Sequence, residues 1–261
     1  MPARPLVFIT GASSGIGRAL AECYHRAGWR LALVARRELE IKSWAGAHQL
    51  SASSYQIYGA DVAQMDSIIA AGQACLQHQG LPDVVIANAG ISVGMDTAER
   101  ADLDVMARVF ATNNLGLAAT FHPFISAMTQ RGSGRLVGIG SVAGIRGLPG
   151  HGAYCASKAA VISYCESLRG ELRGSGVRVV TISPGYVDTP LTRENRYRMP
   201  FLMTPEAFAE SAFKAIETGS SYRVIPWQMG VAAKLLRLLP NPWFDRLLQG
   251  RPRKHRQPPS S

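Results

Sequence analysis

The segment Leu6-Val7-Phe8-Ile9 runs into Thr10-Gly11-Ala12-Ser13-Ser14-Gly15-Ile16-Gly17, and Arg18-Ala19-Leu20-Ala21 follows. An apolar run of strand type feeds a glycine-rich turn, and the turn feeds a helical pattern. Glycine permits a tight bend and a close approach of backbone to a phosphate, while the first amides of the following helix bind the anion. This is the start of a βαβ unit of the dinucleotide-binding kind. Its spacing, Gly-x-x-x-Gly-x-Gly, differs from the commoner Gly-x-Gly-x-x-Gly. Gly11, Ser13, Ser14, Gly15, Ile16 and Gly17 are therefore candidate cofactor contacts.

Strand-like apolar runs recur at 6–10, 31–35, 55–59, 84–87, 135–139, 177–183 and 222–226, alternating with helical stretches. That rhythm predicts a parallel sheet of about seven strands with helices on both faces. Long helices are expected around 102–129 and 152–174, the second closed by Gly174 and Gly176. His122-Pro123 is expected near the end of the first. With 261 residues, 47% hydrophobic and 18% charged, and with no repeat or linker, the chain reads as one α/β domain over 1–261.

Cys23, Cys75, Cys155 and Cys165 have neither metal-ligand spacing nor a paired framework, so they read as small buried residues in a reducing compartment. No metal is expected. No apolar run approaches the ~20 residues of a spanning helix, and the first strand begins too early to leave room for a signal peptide. The expected location is cytoplasmic.

Tyr154-Cys155-Ala156-Ser157-Lys158 puts a phenol and an ammonium four residues apart, on one face of a helix. A phenol ionises near pH ~10. A cation beside it favours the phenolate and is expected to pull that value toward working range. Ser141 stands upstream in Gly140-Ser141-Val142-Ala143-Gly144.

With the Thr10–Gly17 turn, Asp61 after a strand, Asn88-Ala89-Gly90 closing the strand Val84–Ala87, Asn113-Asn114-Leu115-Gly116, Ser141, Tyr154, Lys158 and Pro184-Gly185-Tyr186-Val187-Asp188-Thr189 in order, the chain resembles the short-chain dehydrogenase/reductases from about Pro5 to Pro190. The resemblance implies a Rossmann-type doubly wound fold and catalytic roles for four residues. Tyr154 is the implied general acid/base, and Lys158 holds the nicotinamide ribose and lowers the phenol's pKa. Ser141 bonds the substrate oxygen, and Asn113 positions a water that links Lys158 to solvent. Asn113 is preferred to Asn114 because the family places this Asn three residues before a Gly, here Gly116. Asp61 and Val62 match the pair bordering the adenine ring, and Asn88, Ala89 and Gly90 line the cofactor. Pro184, Gly185, Val187 and Thr189 border the nicotinamide. The family's subunit contacts imply a homodimer or homotetramer.

Charge bears on the choice of cofactor. In this fold an acidic residue after the second strand accepts hydrogen bonds from the adenosine ribose. Here Leu31–Val34 runs into Ala35-Arg36-Arg37, with no carboxylate until Glu38. Two guanidiniums suit a 2′-phosphate instead, so NADP(H) is favoured over NAD(H). Arg36 is the preferred contact, with help from the Ser13 hydroxyl.

The last third departs from the oxoacyl-carrier reductases of the family, which close on a glycine-rich, Asp-containing segment. Residues 190–205 are the expected substrate lid, with Arg193, Arg196 and Arg198 beside the apolar Met199-Pro200-Phe201-Leu202-Met203. Residues 227–250 form an apolar and basic helical segment, and 251–261 a basic tail expected to be disordered. From Arg193 onward there are twelve Lys/Arg against five Asp/Glu, +7 of the chain's net +10. That composition fits peripheral contact with an anionic membrane; the alternative is that Leu235–Leu248 pack on the substrate pocket or a second subunit. No nucleic-acid motif is present. The expected activity is NADP(H)-dependent interconversion of an alcohol and a ketone or aldehyde, with a hint of a bulky apolar substrate. The rival reading is a non-catalytic NADP(H)-sensing protein. His151, just before Tyr154, reads as structural or solvated rather than substrate-facing.

Overall fold

The computed structural model describes residues 4–193, 195, 198–250 and 256. Seven parallel strands form one sheet: β1 (Leu6–Thr10), β2 (Arg30–Ala35), β3 (Tyr55–Gly59), β4 (Val84–Ala87), β5 (Gly134–Ile139), β6 (Val177–Pro184) and β7 (Tyr222–Ile225). Their order is β3-β2-β1-β4-β5-β6-β7. In β1, Val7 and Ile9 pack on one face while Leu6 and Phe8 pack on the other, so the strand reads as a continuous apolar run rather than an alternating one.

Helices α1 (Gly15–Arg26), α2 (Glu38–Ala47) and α8 (Pro205–Glu217) cover the first face. Their core is built from Leu20, Tyr24, Ile41, Trp44, Phe208 and Ile216. The opposite face carries α3 (Met65–His78), α5 (Gly116–Arg131) and α6 (Gly152–Glu171). Ile68, Phe121, Phe124, Val161 and Leu168 fill that core. Close approach of α3 to α5 depends on Gly72, where an added Cβ would lie 2.7 Å from the Pro123 ring.

The helix expected over 102–129 is two helices, α4 (Arg100–Phe110) and α5, joined by a π-helical turn at Ala111–Leu115. Periodicity alone does not show a widened turn. Directly after the turn, Gly116 lies against the segment that follows β3, with an added Cβ only 2.5 Å from the Val62 carbonyl. Pro123 accordingly lies inside α5, not at its end. Helix α6 stops at Glu171, three residues short of expectation, and Gly174 and Gly176 follow with φ of +83° and +80°.

After β6 come a short α7 (Pro190–Arg193), α8, β7, and the pair α9 (Trp227–Leu238) and α10 (Asn241–Leu248). The expected lid, 190–205, is closed at its base: Val187 pairs with Met203, the Asp188 amide donates to the Met203 carbonyl at 2.9 Å, and the Met203 amide to Tyr186 at 3.0 Å. Arg193 is held by Asp188 at 2.9 Å rather than turned to a ligand, and Arg196 lies outside the described residues. Most of the tail expected to be disordered also lies outside them. Arg256 is described, and its Nε donates to the buried Asp102 carboxylate at 2.7 Å.

Candidate active site

The strand order reverses between β1 and β4, and the crevice at their carboxyl ends is where such sheets bind ligands. Thr10, the last residue of β1, ties the two ends together. Its Oγ1 accepts from the Asn88 and Ala89 amides, each at 3.1 Å, while Asn88 Nδ2 donates to the Thr10 carbonyl at 2.9 Å. The turn itself needs glycine. Gly11 and Gly15 have φ of +69° and +54°, a region costly for other residues. A Cβ on Gly17 would lie 2.2 Å from the Gly11 carbonyl oxygen, so only glycine lets α1 start this close to β1.

The N-terminus of α1 faces the crevice with no carboxylate in its first turn and no side-chain cap from Ser14. Its first amides and the positive end of its dipole are thus available to an anion. Beside it, Arg37 Nη2 lies 3.3 Å from both Ser13 Oγ and Ser14 Oγ, and its Nε pairs with Glu40 at 3.1 Å. Arg36 reaches Asp61 at 3.5 Å. The sequence favoured Arg36 as the phosphate contact; in the structure Arg37 is the guanidinium seated against the turn.

Ser141 caps a single 3₁₀ turn, Val142–Gly144, through its Oγ, which accepts from the Ala143 amide at 3.1 Å. Gly144 lets that turn lie on α6, since an added Cβ would sit 2.7 Å from the Lys158 backbone. The contact brings Ser141 and Tyr154 to line the same cleft. Lys158, one turn on, is buried, with Nζ donating to the Ile139 carbonyl at 2.8 Å and standing 5.9 Å from the Tyr154 ring centre.

The electrostatics correct one expectation. Burial raises the Tyr154 pKa instead of leaving it lowered, opposed by the interaction with Ser141. The ammonium is turned to Ile139, and burial lowers its own pKa from 10.5 to about 8. Desolvation disfavours the charged form of each group, and in this arrangement it outweighs their mutual effect.

Asn113, in the π-helical turn, is 1% exposed. Its Oδ1 accepts from the Ile91 amide at 2.9 Å, and its Nδ2 donates to the Ile91 carbonyl at 3.0 Å and Ser157 Oγ at 2.9 Å. A Cβ on Gly90 would lie 3.2 Å from Asn113 Oδ1 and 3.5 Å from Lys158 Nζ, so glycine there leaves these polar atoms a shared space. Asn114 instead donates to the Ser157 carbonyl at 2.9 Å. Ser157, which the sequence reading passed over, also donates to the Tyr154 carbonyl at 2.8 Å. A fully buried serine inside Tyr-x-x-x-Lys was the available signal. Thr10 likewise has no role in the sequence motif itself.

One cleft of 880 Å³ collects these groups. Gly11, Ser13, Ser14, Gly15, Ile16, Arg36, Arg37, Asp61, Val62, Asn88, Ala89 and Gly90 line it, as do Ser141, Tyr154, Lys158, Pro184, Gly185, Val187 and Thr189. Gly17 and Asn113 stand behind the wall. Thr189 packs on the turn, its methyl 3.2 Å from where a Gly15 Cβ would be, and Gly185 is tucked under Met229 of α9. His151 is buried outside the cleft, Nδ1 3.1 Å from the Pro149 carbonyl. All four cysteines are buried and free.

Fold and cleft together define a parallel α/β protein with its candidate site at the switch point of the sheet. A short chain dehydrogenase family model matches residues 5–199, and the chain belongs to the short-chain dehydrogenase/reductase family. It is 39% identical to an uncharacterized oxidoreductase of Myxococcus xanthus over 91% of this chain and 93% of that protein. It is 33% identical to a sulfoacetaldehyde reductase of Chromohalobacter salexigens over 79% of this chain and 86% of that one. A short-chain dehydrogenase from Sphingobium yanoikuyae, solved in complex with NADPH, superposes with a TM-score of 0.76 at 26% identity, covering 91% of this chain and 97% of that one.

Two outcomes follow from the geometry. Gly17→Ala forces α1 away from the Gly11 carbonyl; thermal denaturation and a cofactor titration should show a lower midpoint and weakened dinucleotide binding together. For Lys158→Met, measured without added cofactor, the variant should be at least as stable as the wild type at pH 7. Below pH ~8 the folded chain buries an ammonium; between there and the usual 10.5 the unfolded chain holds the extra proton, so wild-type stability rises with pH. The gap between the two melting curves should therefore close from pH 8 to 10. A gap constant over that range would contradict the cost assigned to the buried ammonium.

Proposed function

We propose that the chain is an NADP(H)-dependent oxidoreductase that interconverts an alcohol and a ketone or aldehyde, with Tyr154 as general acid/base. The observation that carries this reading is the meeting of Ser141, Tyr154 and Lys158 in the same cleft as the glycine turn and the Arg36–Arg37 pair. The cradle fits a dinucleotide: glycines whose added Cβ atoms would clash, free amides at the start of α1, and cations where a 2′-phosphate would fall. The NADPH complex of the Sphingobium relative and the reductase activity named for the Chromohalobacter relative support the same reading.

Bound there, the nicotinamide supplies or accepts a hydride. Ser141 holds the substrate oxygen and stabilises the charge that develops on it. Tyr154, a phenol and so protonated at neutral pH, is in the form that gives a proton to that oxygen during reduction. Lys158 holds the nicotinamide ribose. Asn113 keeps the Gly90–Ile91 strand exit in place through two hydrogen bonds to Ile91, is tied to α6 by a third to Ser157, and serves the water path behind Lys158. The apolar composition of the lid, with Met199, Phe201 and Leu202, favours an apolar substrate.

The test is NADPH oxidation against a panel running from small ketones to steroids and acyl lipids. Tyr154→Phe should lower kcat about 10²–10⁴-fold while NADPH still binds. Turnover untouched by that change would overturn the mechanism, and NADPH binding without turnover of any carbonyl or alcohol would favour the sensing role. Cofactor choice is read separately. Replacing Arg36 and Arg37 together by Ala should raise the KM for NADPH by about 10–100-fold, as expected for lost charge-assisted hydrogen bonds, and leave that for NADH nearly unchanged. An equal effect on both cofactors would remove the 2′-phosphate assignment.

A further inference from the structure

Helix α9 buries Met229, Gly230 and Ala233 and leaves a large apolar face open. Trp227, Val231, Leu235 and Leu238 recur at steps of four, four and three, a single helical stripe. All are exposed, from 49% at Val231 to 81% at Leu238. On α10, Trp243 and Leu247 repeat the pattern one turn apart, 71% and 45% exposed, while Phe244 turns inward. Singly exposed apolar residues are ordinary, but a two-helix run with a Trp on each helix is not.

The net charge on and beside these helices is cationic. Between 222 and 250 stand Arg223, Lys234, Arg237 and Arg246 against Asp245 alone, and the four cations are exposed. Lys234 falls on the edge of the apolar stripe itself. Apolar bulk, tryptophans and flanking cations form the surface that lies in the headgroup region of an anionic bilayer. A protein partner of matching shape would need acidic groups ringing an apolar groove; a bilayer supplies both over any area.

The helices are also braced for load. Arg146, in the loop after Ser141, donates to the Leu236 and Leu239 carbonyls and to Asn241 Oδ1, and its guanidinium stacks 3.7 Å above the Phe244 ring. These bonds satisfy carbonyls at the end of α9 and fix both helices to the body of the enzyme. Among the described residues no helix is long and apolar enough to cross a membrane, so the contact lies in the plane of the surface.

We infer that the exposed faces of α9 and α10 dock the protein on an anionic lipid surface. The inference is independent of the reaction, because vesicle binding is read without turnover. The full chain is sedimented with vesicles of phosphatidylcholine alone and of phosphatidylcholine mixed with phosphatidylglycerol, at low and high salt. Binding to the mixed vesicles that weakens with salt is expected, as is equal binding by Tyr154→Phe. Leu235→Ser with Leu238→Ser should lose most of it while still binding NADPH, and Trp243→Ser with Leu247→Ser provides a second, separate route to the same loss. Lys234→Glu should weaken binding about fivefold or more. Absence of sedimentation by the intact chain would overturn the inference. So would undiminished binding by both double variants, or light scattering showing that the substitutions dissociate a dimer that does not bind vesicles.

Discussion

The contact on which the site depends is the one between the Gly11 carbonyl and the missing side chain of Gly17. At 2.2 Å from a would-be Cβ, it sets how closely α1 can follow β1. Everything facing the crevice takes its place from that approach. The start of α1 is aimed inward, Ser13 and Ser14 come within reach of Arg37, and Thr189 closes on Gly15 from the far side. The Thr10–Asn88 bonds then lock β4's exit to the same turn, so that Gly90 arrives beside Asn113 and Lys158. Small residues recur at these junctions because a backbone, not a side chain, must occupy the space.

A second constraint runs against stability. Lys158 is buried with one carbonyl partner, and its pKa falls to about 8. Tyr154 is pushed in the opposite direction by the same desolvation. A packed interior would be better served by apolar groups at both places. The protein instead surrounds them with Ser157, Asn113 and Asn114, whose side chains bond backbone and one another on the rear of α6. That polar cluster holds α6 against the π-helical turn, and the energetic cost at Lys158 is met by order elsewhere in the helix.

Most of the sheet was legible because the inner strands are buried on both faces and read as apolar runs, while the half-open edge strands β3 and β7 are marked by their aromatic and β-branched residues. The boundaries fell within one residue at β1 through β7 for the same reason. The π-helical turn was not legible, since Ala111–Leu115 keeps helical composition and a widened turn leaves no mark on periodicity. The cleft's lining followed from motif spacing. The direction of the Tyr154 shift did not, because spacing gives adjacency along a helix but not where the ammonium points. Arg146 was invisible for a related reason: its partners are backbone carbonyls some ninety residues away, and carbonyls leave no mark in a sequence.

The residues proposed for acid–base chemistry and the surfaces proposed for recognition belong to different parts of the chain. Ser141, Tyr154 and Lys158 sit on β5's exit and α6, elements with neighbours on several sides. The lid and the α9–α10 pair leave the sheet after β6 and β7 and are secured at few points: the Val187–Met203 pairing for one, Met229 beneath Gly185 and the Arg146 anchor for the other. Substitutions on their outer faces therefore disturb neither the acid–base pair nor the glycine turn. A fold arranged in this way can change what it binds, or where it resides, while the proton-transfer geometry stays fixed.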